Sequence, residues 1–128
     1  MPRRVDQDLA VKAAEALPPT VDSQLLTVLR AVPLLVHTNG LAMAMTYLLA
    51  KAKTRTEGDG FWRVAIVILT DAADTIRLHP ADDDPLTILD ALNRVETSRY
   101  VVAQRRAREL AVWLGRVGAA RAVGTDRR

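Results

Sequence analysis

The chain has no cysteine. That excludes a disulfide framework and any thiolate metal site. Its two histidines, His37 and His79, fall at a helix end and in a loop. Neither a His-x-x-His nor a His-Glu-x-x-His pattern occurs, so a metal centre has no ligand spacing to build on. Aromatic residues are only 4% of the chain, although hydrophobic residues are 49%. Leucine, alanine and valine therefore carry the apolar content, and together with arginine they favour helix over sheet. Long apolar runs are also missing: the longest, residues 41–50, is too short for a bilayer and contains Thr46 and Tyr47. The opening "MPRRVDQDLAVKAAEAL" lacks a signal peptide's continuous apolar region and includes Asp6 and Asp8. These absences lead to the expectation of a soluble, cytoplasmic protein.

Catalytic patterns are scarce as well. Asp82, Asp83 and Asp84 form an acidic run, but the further oxygen ligands, the glycine and the distal glutamate of a calcium loop are missing. Ser23 and Ser98 have no histidine or lysine motif that would mark an activated nucleophile. No glycine-rich loop is set to cradle a phosphate. The expectation is a chain with no catalytic residues, no metal and no cofactor.

What is there is charge, unevenly spread. The 128 residues carry a formal net charge of +3, and they suit one domain better than two. Residues 1–58 hold seven Lys/Arg and five Asp/Glu, residues 59–95 three and seven, and residues 96–128 eight and three. A basic final third thus follows an acidic middle. Such a molecule could bind a polyanion or stack on a copy of itself; a merely solvated surface of uneven charge is the plainer alternative.

Apolar spacing predicts helices throughout. Residues 3–17 form a first helix with Val5, Leu9, Ala13 and Ala16/Leu17 on one face, stopped by Pro18-Pro19. Asp22 or Ser23 caps the next, along which Leu25, Leu26, Leu29, Val32 and Val36 recur, with a kink expected at Pro33. Asn39-Gly40 resembles a two-residue hairpin turn. The period of Leu41, Ala44, Met45, Leu48 and Ala52 is helical, however, so the dipeptide is expected to join two helices. Gly40 would take positive φ, and Thr38 or Asn39 would cap the second helix. After the polar loop 53–60, with Asp59 as a cap, Phe61, Val64/Ala65, Ile68, Ala72 and Ile76 line a central helix. Asp84-Pro85 opens a short helix marked by Leu86, Leu89 and Leu92/Asn93. Thr97 or Ser98 begins the last, with Tyr100, Ala103, Ala107, Leu110, Leu114 and Val117 inward and Arg105, Arg108, Glu109, Val112 and Arg116 outward. The expected fold is all-α: a compact antiparallel bundle of about six helices over residues 1–128, with its core at about 20–122 and a frayed tail at 124–128.

Basic side chains are the remaining candidates for function. Lys51, Lys53 and Arg55 follow the third helix, where lysine also suits the helix dipole. Arg99, Arg105, Arg106, Arg108 and Arg116 decorate the last helix, and each could pair with a phosphate through two hydrogen bonds. With few aromatics to stack bases, contact with a sugar-phosphate backbone is the expected mode, insensitive to sequence and sensitive to salt.

Two stretches carry a resemblance to a known family. "LRAVPLLVHTNGLAMAMTYLLAKAK" resembles the hallmark of the Cmr small subunits of type III-B CRISPR effector complexes, through Pro33, Leu35, Val36, Asn39, Gly40, Leu41, Leu48 and Lys51. "YVVAQRRARELAVWLGRVGAAR" looks like that family's final helix, through Tyr100, Trp113, Leu114, Arg116, Ala119 and Ala120. Phe61-Trp62 adds a weaker point between them. Val32 stands where the family often has leucine, and Gln104 and Arg106 stand in place of threonine and glutamate. The resemblance implies a non-catalytic subunit of an RNA-guided, RNA-targeting complex. Copies would stack into a filament beside the backbone subunits that hold the guide, touching guide and target RNA through their sugar-phosphate backbones. RNA cleavage would belong to the backbone subunit and nucleotide cyclisation to the large polymerase-like subunit. Competing expectations are a helical DNA-binding regulator and a helical adaptor that works without RNA.

Overall fold

The computed structural model describes residues 5–52 and 60–122. Six α-helices follow one another: α1 (Val5–Ala16), α2 (Ser23–Asn39), α3 (Leu41–Lys51), α4 (Gly60–Thr75), α5 (Pro85–Asn93) and α6 (Thr97–Ala120). Among the described residues there is no strand, only an isolated parallel bridge between Val21 and Ala122. The all-α bundle expected from the spacing is the fold. The Asp59 cap, the first residues of the first helix, Lys53, Arg55 and the tail lie outside the described residues.

α6 is the central element, packed against α1, α2 and α4; α3 lies between α2 and α4, and α5 rests on α4. Its buried positions are Ala103, Ala107, Leu110, Ala111, Leu114 and Gly118. Small residues at three-to-four spacing let other helices come close to its backbone. At Gly118 the approach is tightest: an added Cβ would lie 2.6 Å from Leu29 Cδ1 of α2. The core between the helices is built from Leu29, Leu41, Met45, Leu48, Ile68, Leu69, Leu92, Leu110 and Leu114, each fully buried. Expected inward positions Tyr100 and Val117 are only half-buried, and both pack against this core.

Local chemistry sets the boundaries. Asp22 Oδ1 accepts from the Leu25 amide at 2.8 Å and caps α2. α2 runs through Pro33 to Asn39, so the proline does not end it. Asp84 accepts from the Leu86 amide at 2.9 Å, with Pro85 as the first helical residue of α5. On α5 the buried face is Pro85, Ile88, Leu89 and Leu92, while Leu86 is 47% exposed. This corrects the expected register: with the cap at Asp84, position 86 faces water and 88 faces α4.

Gly40 has φ 91° and ψ 163°, a region essentially reserved for glycine. It closes α2, its amide donating to Val36 O at 3.1 Å. The expected cap of α3 by Thr38 or Asn39 does not form. Thr38 Oγ1 lies instead 2.8 Å from both Leu34 O and Asn39 Oδ1, two acceptors that share its single proton. α6 supplies the cap from across the bundle. Gln104 Oε1 accepts from the Leu41 amide at 2.8 Å, and Tyr100 Oη accepts from the Ala42 amide at 3.2 Å. A glycine with no side-chain oxygen precedes α3, so its first amides need acceptors from elsewhere.

Candidate nucleic-acid interface

The outward face of α6 collects part of the predicted basic set. At about 100° per residue, Arg105, Arg108 and Arg116 fall within roughly 80° of one another. All three are exposed, and Arg105 and Arg116 are about 17 Å apart along the axis. Among the described residues, the Arg105 and Arg108 side chains make no hydrogen bond or ion pair. Arg116 lies over an aromatic ring: its Cζ is 5.1 Å from the centroid of Trp113, one turn earlier on the helix. Trp113 is half-buried and packed on the core, so its ring is held by the fold while its outer side supports the guanidinium.

Arg106 sits elsewhere on the helix and has a different role. Its Nε donates to Asp71 Oδ2 at 2.7 Å, and its Nη2 donates to Asp71 Oδ1 at 3.1 Å and to Asp8 Oδ2 at 2.7 Å. Lys12 of α1 also donates to Asp71 Oδ1. The bidentate pair with Asp71 is the main cause that holds the Arg106 guanidinium well above its usual pKa, against the lowering effect of burial and with further help from Asp8. Arg106 therefore ties α6 to α4 and α1, and it leaves the set of side chains available to a nucleic acid. Asp71, only 4% exposed, is the acceptor that sequence reasoning missed. A signal was present: Asp71 is three residues after Ile68 and seven after Val64, on the apolar side of α4. A carboxylate placed there requires a cationic partner.

Other cations also serve as internal caps. Arg99 donates from Nη2 to Ile76 O at 2.6 Å, just past the end of α4. Arg121, absent from the sequence-based set, donates from Nη1 to Ala14 O at 2.9 Å and to Leu17 O at 3.0 Å, closing the end of α1. Its own carbonyl accepts from the Val21 amide at 2.8 Å. No sequence signal marks this role, because the partners lie more than a hundred positions away in the chain. Lys51 is exposed at the end of α3, with its Nζ 5.6 Å over the Tyr47 ring. It stands about 15 Å along α3 from the cap made by Tyr100 and Gln104.

Four of the motif residues, Asn39, Gly40, Leu41 and Tyr100, gather at the junction of α2, α3 and α6, whereas Trp113 stands roughly 20 Å further along α6. Gly40, Leu41 and Tyr100 meet there through the caps described above, Asn39 Oδ1 lies beside the Thr38 hydroxyl, and Pro33 lies within α2. α3 turns Leu41, Ala44, Met45 and Leu48 into the core. Its outward positions Met43, Thr46 and Ala50 include none of the arginine, asparagine or glutamine side chains that read bases in a major groove. Acidic side chains Asp74, Asp82, Asp83, Asp84 and Asp90 are exposed on α4, on α5 and between them. No group of three or more His, Cys, Asp or Glu among the described residues is placed to hold a metal ion. Among the same residues, no helix is long and apolar enough to cross a membrane.

Fold and surface together define a small helical protein whose central helix presents three outward arginines and in which Lys12, Arg99, Arg106 and Arg121 bind its own elements together. The family model described as CRISPR-associated protein (Cas_Cmr5) matches residues 6–121. The chain belongs to this family, the small subunits of type III-B Cmr complexes, and is thus a CRISPR-associated Cmr complex subunit. No curated protein and no solved structure matches it.

Proposed function

We propose that this chain is a non-catalytic subunit that stacks with copies of itself in a Cmr complex and holds the guide–target RNA duplex by its sugar-phosphate backbone. The observation that carries this reading is the α6 face, where Arg105 and Arg108 are exposed and make no ion pair among the described residues, with Arg116 beside them. In a protein that spends Arg99, Arg106 and Arg121 on its own carbonyls and carboxylates, three outward guanidiniums on one face supply the positive surface a polyanion needs. Sequence recognition is then left to base pairing with the guide. Exposed carboxylates between and along α4 and α5 give the same molecule a negative surface for the basic face of a neighbouring copy. Lys51 extends the positive surface at the end of α3, and the backbone subunits and the large polymerase-like subunit complete the set of partners.

Charge reversal tests the reading. A complex assembled with Arg105→Glu/Arg108→Glu should retain target RNA less well, by about the same factor for unrelated target sequences. The dependence of log affinity on log salt should become shallower by roughly 0.7–0.9 for each phosphate that is no longer neutralised. Filter binding of assembled complexes across a salt series reads both quantities. Unchanged affinity and unchanged slope would sink the proposal.

A further inference from the structure

We propose that Arg116 and Trp113 form a preformed binding site for a single RNA phosphodiester, with Trp113 as the positioning residue. The inference rests on the RNA-binding reading above and says how one anchor point in it is built. Three arginines share the face, and among the described residues only Arg116 has a ring beneath it. Free arginine side chains lose up to about 2 kcal/mol of rotamer freedom when they are fixed. The indole already restricts Arg116, because the cation is drawn to the ring face and the ring itself is seated in the core. A guanidinium with one face against a ring keeps its N–H edge free, and that edge matches two phosphate oxygens. Lysine at 116 would keep the charge but lose both the flat face and the fork.

The test separates charge from geometry. Assembled complexes carrying Arg116→Lys, Trp113→Leu, Trp113→Phe or the double variant Trp113→Leu/Arg116→Lys are compared for target-RNA retention over a salt series. Circular dichroism of each free chain checks that Trp113→Leu still folds; Arg116→Lys, at an exposed position, keeps the test valid if it does not. Arg116→Lys should lower affinity roughly two- to fivefold, about the worth of a flat stacked and forked geometry that an ammonium cannot copy, with the salt slope unchanged because the charge remains. Trp113→Leu should match it, Trp113→Phe should restore most of the affinity, and the double variant should be no worse than Arg116→Lys alone. Equal affinity for Arg116→Lys and the unaltered complex overturns the site, as do losses that multiply in the double variant. If Arg105→Glu/Arg108→Glu still impairs retention in that case, the RNA-binding reading survives without this site. If all the variants are silent, both fall.

Discussion

Gly40 illustrates how one residue can set a junction. Its backbone lies at φ 91° and ψ 163°, and a Cβ there would meet Gln104 Oε1 at an ordinary 3.5 Å. The restriction is therefore in the backbone and not in crowding. Gly40→Ala should lower the unfolding free energy by about 1–3 kcal/mol, the usual cost of an unfavourable dihedral region, read as a lower urea midpoint with unchanged m-value. Positive φ at this glycine was legible in the sequence, since Asn-Gly between two helical periods leaves few other ways to turn. The roles of the individual arginines were not. Arg105 and Arg106 are neighbours, yet one faces water and the other faces Asp71. Helical phase separates them by about 100°, but phase alone does not reveal what stands opposite.

Individual helices depend on one another for their ends. α3 begins without a side-chain cap of its own and takes acceptors from Gln104 and Tyr100 of α6. Gln104→Leu should therefore cost about 1–2 kcal/mol by leaving the partly buried Leu41 amide without its acceptor, measured by thermal unfolding followed at the helical ellipticity band. A variant no less stable than the unaltered protein would mean that water replaces Gln104. Helix number, order and most inward faces followed from apolar spacing, because burial of a stripe is a local property of the sequence. Caps behaved differently. Asp22 and Asp84 cap within three residues of themselves and could be read directly, whereas Gln104, Arg99 and Arg121 cap helices far away in the chain. Leu86 shows the limit on faces as well: in a helix of only nine residues, a few leucines fit more than one register.

At the level of the whole molecule, the Asp71 carboxylate joins three helices. It accepts from Arg106 of α6 and Lys12 of α1 while sitting on α4. Removing one partner of a buried pair strands the other charge, at a cost of about 3–5 kcal/mol. Asp71→Asn should fall near the lower end of that range, because Arg106 keeps Asp8. Lys12→Met should cost far less, since the Lys12 side chain is 30% exposed; comparing the two in urea denaturation checks the ranking. From the acidic middle Asp74, Asp82, Asp83, Asp84 and Asp90 are exposed, and from the basic final third Arg105, Arg108 and Arg116. How many of those charges face outward was not visible, because several are neutralised inside the bundle. The same fastening has a consequence for how the chain is made. α1 leaves the ribosome before the other five helices, but the side chains that secure it, Asp71, Arg106 and Arg121, emerge progressively later, the last of them only after α6 is complete. Its docking waits until α6 has been made, so α1 is among the last of these six helices to reach its final place.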